Sequence, residues 1–145
     1  RRESVEALEA ELGVDSVYEE LCVPLSKARV LRVRQFGKAY FSSGCRVWDA
    51  GVALARWIDT HAAGFDAAMD RKEVLEIGAG VGLPGLCAAR SARRVRLTDA
   101  EEQLLPNLRH NAAITEQEHA GALIEVEALN WSSPPEEAPL AMPPL

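Results

Sequence analysis

Apolar positions along this chain change their spacing several times, and each change marks an element. Over residues 3–21, Val5, Leu8, Leu12, Val17 and Leu21 recur among glutamates at roughly helical intervals. Gly13 interrupts them, so the pattern predicts a helix to about Leu12 and a second turn after Asp15. Residues 28–36 mix β-branched residues with arginine and predict an exposed edge strand or hairpin arm, whose charges discourage pairing with another sheet. Gly37 to Gly44 is a loop. A helix is predicted over 46–62, with Val47, Gly51, Leu54 and Ile58 in one stripe, Trp48 and Ala55 beside it, and Trp57 in the core. Residues 63–72 read as a linker.

From residue 73 the pattern alternates strand and helix. Residues 73–77 form a strand, and Leu83 to Ser91 a helix with Pro84 in its first turn, where a missing N–H costs little. Val95 to Asp99 is a second strand, ending in an acid. Glu101 to Ala113 is a helix with Leu104, Leu105, Leu108 and Ala112 inward, and Pro106 must fall in its first turn or kink it. Thr115 to Gly121 is a polar loop, and Ala122 to Leu129 a third strand with Leu123, Ile124, Val126 and Leu129 apolar. From Trp131 onward Pro134, Pro135, Pro139, Pro143 and Pro144 preclude regular structure and predict a mobile tail. Strand–helix–strand–helix–strand with short connections implies right-handed crossovers, a parallel sheet and an α/β fold.

Composition narrows the partners. The chain has 145 residues, 48% of them hydrophobic, enough for one domain with a core. A net charge of −6 argues against a nucleic-acid or membrane surface as partner. The basic run Lys27, Arg29, Arg32, Arg34 and Lys38 is explained as well by a solvated strand and loop as by a binding patch. Cys22, Cys45 and Cys87 have no CxxC spacing, and His61, His110 and His119 are scattered, so neither a disulfide framework nor a metal site is expected. No apolar run is long enough to span a bilayer.

The chemistry concentrates at Val74-Leu75-Glu76-Ile77-Gly78-Ala79-Gly80-Val81-Gly82-Leu83-Pro84-Gly85. Glycines at 78, 80 and 82 let the backbone take positive φ and approach a ligand closely. A dinucleotide loop, G-x-G-x-x-G, would need its last glycine at position 83, which is Leu; G-x-G-x-G fits a nucleoside without a tightly held pyrophosphate. Asp99 ends the next strand, where a carboxylate accepts hydrogen bonds from a ribose diol. It also suits the N-cap of the helix that follows. Glu76 interrupts an apolar strand and needs either a cationic or hydrogen-bonding ligand, or Arg93 or Arg94, to offset its burial. Trp48 and Trp131 flank the loop and offer flat faces to an adenine or a cation, or simple packing.

Arg46-Val47-Trp48-Asp49-Ala50-Gly51, the glycine loop with its Leu-Pro-Gly ending, Leu97-Thr98-Asp99, Leu104-Leu105-Pro106-Asn107-Leu108-Arg109-His110-Asn111 and Leu129-Asn130-Trp131 are similar in order and spacing to the S-adenosylmethionine-dependent protein-lysine methyltransferases of the seven-β-strand class. The group resembled acts on chaperones, elongation factors, calmodulin and the valosin-containing ATPase. The resemblance covers roughly residues 28–131. It implies a Rossmann-like fold, present as its N-terminal half, and S-adenosylmethionine as cofactor. Gly78, Ala79 and Gly80 would lie under its methionine part and Glu76 near its amino group. Asp99 would hold the ribose, Trp48 would close over the methionine end and Trp131 would sit at the adenine end.

Two positions depart from that family. Asn130 stands where an Asp usually precedes the tryptophan, and the acidic-x-x-aromatic motif that follows the fourth strand is absent. We therefore expect an N-terminal helix with an edge strand or hairpin over 1–45, the S-adenosylmethionine-binding core over 46–131, and a flexible tail over 132–145, cut short. The expected activity is methyl transfer to a lysine of a protein substrate of chaperone, translation-factor or ATPase type, by a cytoplasmic monomer. The alternative is a catalytically silent fragment that binds the cofactor or a partner, and a nicotinamide dehydrogenase is disfavoured by the glycine spacing.

Overall fold

The computed structural model describes residues 17–26, 29–38, 40, 42–69, 73–119 and 121–133, with positions 4, 6, 7, 10 and 13; of residues 62–69 it describes the backbone alone. The expected N-terminal helix falls largely outside the described residues, and the proline-rich tail from residue 134 wholly so.

The expected hairpin arm is strand β2 (Val30–Phe36), and its partner is β1 (Tyr18–Pro24). They pair antiparallel from Tyr18 opposite Phe36 to Pro24 opposite Val30. Residues 18–21 thus do not continue the helical pattern predicted through Leu21. The cause is non-local: β2 buries Leu31 and Val33 and exposes Val30 and Arg32, so it is a two-faced strand in need of a partner, and tertiary pairing overrides a weak helical spacing. Tyr18 tilts onto Phe36 with ring centroids 4.8 Å apart, and the Arg34 guanidinium lies 4.0 Å over the Tyr18 ring.

The other edge of β2 is closed by side chains. Asn111 Oδ1 accepts the Arg34 N–H at 2.7 Å, and the amides of Asn107 and Asn111 donate to the Arg34 carbonyl at 2.8 and 2.9 Å. The Asn111 amide also donates to the Val81 carbonyl at 3.0 Å. Both asparagines are buried, so they act as a substitute strand linking the hairpin to the glycine loop.

Helix α1 (Asp49–Met69) starts near its expected position and continues through the expected linker, where Ala62, Ala63, Ala67 and Ala68 favour helix. Its inward face is rotated from the predicted stripe, keeping Val47, Gly51 and Ile58 partly buried and losing Leu54. Ala55 and Asp59 are buried, with Val52 and Ile58 partly so, while Leu54 is 48% exposed and Trp57, expected in the core, is 50% exposed and stacked on His61. Asp59 explains the rotation. Its carboxylate accepts from the Ser26 N–H at 2.8 Å and from the Ser26 hydroxyl, and pairs with Arg29 at 3.1 Å and Arg90 at 3.9 Å. A charged residue drawn inward by these partners sets which face of α1 is covered.

The sheet follows as β3 (Glu73–Ile77), α2 (Leu83–Ala88), β4 (Arg94–Asp99), a 3₁₀ turn (Glu102–Leu104), α3 (Leu105–Glu118) and β5 (Ile124–Ala128). The strands are parallel in the order β3-β4-β5, with Glu76 opposite Leu97 and Asp99 opposite Ala128. This is the expected α/β, Rossmann-like arrangement of three core strands with helices in the crossovers. Helix α2 ends at Ala88, short of Ser91, and α3 extends to Glu118 through residues expected as loop. Pro106 lies in the first turn of α3, as one of the two expected outcomes. The core packs Leu83 and Leu86 of α2 and Leu108 of α3 against Val95 and Leu97 of β4.

Asp59 anchors α1 to the β1–β2 turn and to the region after α2. Burial opposes its ionisation, but the Ser26 donors, then Arg29 and Arg90, outweigh it and hold the carboxyl below its usual value. A depressed carboxylate contributes stability that is present at neutral pH and lost as pH falls through its titration. Asp59→Ala is expected to cost about 2–4 kcal/mol at pH 7 in urea denaturation, and the gap from the unsubstituted protein should narrow below about pH 4.

Candidate functional site

Sheet geometry brings the carboxyl ends of β3 and β4 together, and the glycine loop and the 42–48 segment complete a cavity of about 470 Å³ above them. That volume lies within the range of about 300–1,000 Å³ typical of small-molecule sites. The seven expected site residues are on its lining, Trp48, Glu76, Gly78, Ala79, Gly80, Asp99 and Trp131, whereas Gly82, the third glycine of the loop, faces Leu108 and Leu97 instead.

Gly78 and Gly80 have φ of 66° and 55°, a region costly to other residues. Space demands them as well. A Cβ on Gly78 would lie 3.2 Å from the Trp131 ring, and one on Gly80 would lie 2.7 Å from the Gly44 carbonyl oxygen. The 42–48 segment therefore packs backbone to backbone on the loop. Trp48, 63% exposed, stands at the rim with its Nε1–H donating to the Ser43 carbonyl at 2.7 Å.

Four of the loop amides are committed to the protein itself. Ala79 donates to the Thr98 carbonyl at 2.9 Å, Gly80 to Asp99 Oδ2 at 2.9 Å, Gly82 to the Ala79 carbonyl at 2.7 Å and Gly85 to Glu76 Oε2 at 2.8 Å. Pro84 has no N–H to offer. A phosphate entering here would meet the carboxylates of Glu76 and Asp99.

Asp99 is not the helix N-cap that the sequence also allowed: Glu101 stands at the cap of the 3₁₀ turn and Leu104 at that of α3. Asp99 Oδ1 accepts the Glu101 N–H at 3.0 Å, while the carboxylate lines the cavity. Glu76 does not meet the arginines considered for it. Arg94 starts β4, at the end remote from the cavity, and pairs with Glu125; Arg93 is exposed beside it. Among the described residues neither Glu76 nor Asp99 has a Lys or Arg within ion-pair distance. Burial pushes the Glu76 carboxyl up to about 7, the Gly85 amide opposing that shift and the Asp99 charge adding to it.

Sequence reasoning missed Gly44, Arg46, Glu101 and Leu104, which also line the cavity. Gly44 lay inside a run read only as loop, and a Cβ there would collide with Leu104 and come within 3.3 Å of the Gly80 Cα. The one available signal was a glycine directly before a Cys-Arg-Val-Trp run. Asn130, the departure from the family pattern, uses its Oδ1 to accept the Ser132 N–H at 3.0 Å in the turn that carries Trp131.

A family model described as lysine methyltransferase matches residues 25–141, and the chain belongs to that family. It is 36% identical over 88 residues to the protein-lysine methyltransferase METTL21E of Mus musculus, covering 61% of this chain and 35% of that protein. It is 36% identical over 85 residues to the histone-arginine methyltransferase METTL23 of Mus musculus, covering 59% and 32%. It is 40% identical over 83 residues to the protein N-terminal and lysine N-methyltransferase EFM7 of Debaryomyces hansenii, covering 56% and 31%. The chain thus spans about a third of the length of the curated relatives it matches. A solved tRNA (uracil-54, C5)-methyltransferase from Pyrococcus abyssi, in complex with S-adenosyl-L-homocysteine, is similar over 77% of this chain and 24% of its own, at 18% identity and a TM-score of 0.46. S-adenosylmethionine is the methyl donor of the matched family, as expected from the sequence.

A carboxyl raised by burial stabilises the fold when protonated and costs stability as pH rises from its unfolded value through its folded one. For Glu76 that window runs from about 4.5 to about 7. Glu76→Gln keeps the acceptor for Gly85 and removes the charge. In the absence of ligand it should be more stable than the unsubstituted protein at pH 8, by up to about 3 kcal/mol, with no difference at pH 4, as measured by chemical denaturation.

Proposed function

We propose that the protein to which this chain belongs transfers a methyl group from S-adenosylmethionine to a lysine side chain of a protein substrate, and that the glycine-loop cavity holds the donor. The observation that carries this reading is the meeting of Glu76 and Asp99 at one cavity without a protein cation against either. A donor with an ammonium group and a ribose diol satisfies both acids. The ammonium offsets the cost of ionising Glu76, and the diol donates to the lone pairs that Gly80 and Glu101 leave on Asp99. Gly78, Ala79 and Gly80 give the methionine part a floor without side chains, Trp48 covers that end, and Trp131 offers a face to the adenine. The fit is supported by the volume of the cavity.

When bound, S-adenosylmethionine would supply an electrophilic methyl on a sulfonium, open to in-line attack by an uncharged amine. The contribution of these residues is placement: a rigid floor and two fixed acids hold the donor in one orientation, which lowers the entropic part of the barrier. Family membership favours this enzymatic reading over a silent binding fragment. For the wider setting we propose a substrate of chaperone, translation-factor or ATPase type, met by a monomer in the cytoplasm.

Calorimetric titration of the full-length protein with S-adenosylhomocysteine tests the cavity. Binding is expected, and Asp99→Ala should weaken it by about 10- to 100-fold, the value of hydrogen bonds to a charged group. Labelled S-adenosylmethionine should transfer its methyl to lysine in a lysate protein, and Asp99→Ala should suppress the transfer. Absence of both binding and transfer would overturn the reading.

A further inference from the structure

The cavity has an imbalance that its acids do not resolve. Among the described residues on its lining, Glu76, Asp99 and Glu101 are acids and Arg46 is the cation. A donor carrying an amino-acid end is a zwitterion. Its ammonium suits the acids, but its carboxylate enters a site whose fixed charge is negative, and it loses hydration on the way in. Backbone donors usually meet such a group. Here the amides of Ala79, Gly80, Gly82 and Gly85 are committed to internal acceptors and Pro84 has none, so the loop has left to offer only the uncharged amides of Gly78, Val81 and Leu83.

Arg46, on the cavity lining, supplies the positive charge that the loop amides lack. Its segment is fixed on both sides: the Cys45 carbonyl accepts the Phe36 N–H at 3.0 Å, and the Val47 N–H donates to Gln35 Oε1 at 2.8 Å. Gln35 Nε2 in turn donates to Glu19 Oε1 at 2.6 Å, and Arg46 Nη2 donates to that same oxygen at 2.8 Å. Glu19 orients the guanidinium through one nitrogen. A guanidinium has five N–H donors in a planar fork that matches a carboxylate, so this contact leaves capacity for a second acid.

Resting on the donor site proposed above, we infer that Arg46 binds the carboxylate of the amino-acid end of the ligand and makes the cavity selective for ligands that carry one. Glu19, from the hairpin, is then a positioning residue for that contact. The sequence places Arg46 two residues before Trp48, so the selective charge and the covering indole ride on one short segment.

Ligand truncation crossed with substitution tests this. The affinities of S-adenosylhomocysteine and of its decarboxylated analogue, which keeps the amine and the thioether, are measured by calorimetry on the full-length protein, on Arg46→Gln and on Arg46→Lys. The Arg46 side chain is 40% exposed, so the variants should fold, which a thermal melt checks. The unsubstituted protein should prefer S-adenosylhomocysteine, and Arg46→Gln should lose about 10- to 100-fold for it while binding the decarboxylated analogue as before. Arg46→Lys should recover part of the loss. An equal loss for both ligands, or none for either, overturns the role of Arg46 and leaves the donor site standing. Failure of the unsubstituted protein to bind either ligand overturns both.

Discussion

One hydrogen bond, from the Gly80 amide to the Asp99 carboxylate, requires most of what surrounds it. It forms only if β3 and β4 end level with each other, which parallel pairing with Ile77 opposite Thr98 provides. It is made by Gly80 at positive φ, and Gly44 lies close enough to leave no room for a Cβ there. The hairpin, the 42–48 segment and α3 are each tied to this point, through Gly44, Leu104 and the Asn111 contact with Val81. A change in any one of them alters the distance between loop and acid.

The site also shows a local rule broken for a reason. Two carboxylates at one cavity repel each other, and burying Glu76 raises its proton affinity, so the ligand-free protein carries an electrostatic cost at neutral pH. Natural proteins carry such costs where a ligand removes them. The glycine loop makes the cost tolerable, because the Gly85 and Gly80 amides each give one acid a donor.

What was legible in the sequence was local. The glycine loop, the acid at the end of β4 and the strand–helix alternation each have a short-range signature, and all seven expected site residues reach the cavity. What was illegible depended on partners far along the chain. Residues 18–21 looked helical until β2 supplied an edge to pair with. Leu54 and Trp57 matched an apolar stripe, yet Asp59 turned that face outward by its bonds to Ser26, Arg29 and Arg90. Gly44 and Arg46 belong to the site through a tertiary approach, and no periodicity reports such an approach.

The asparagine clamp on β2 has a consequence in time. The backbone groups of Arg34 are made 77 residues before Asn111, the side chain that closes them. As the chain emerges from the ribosome, β1 and β2 have a turn between them and can pair at once, but the outer edge of β2 then stays bare until α3 exists and has folded against the sheet. Contacts of such long sequence separation form late and slow the search for the native state. A bare strand edge is also where one chain pairs with another. The residues that finally fasten the hairpin to the glycine loop therefore also end the interval in which the nascent protein is most open to mispairing.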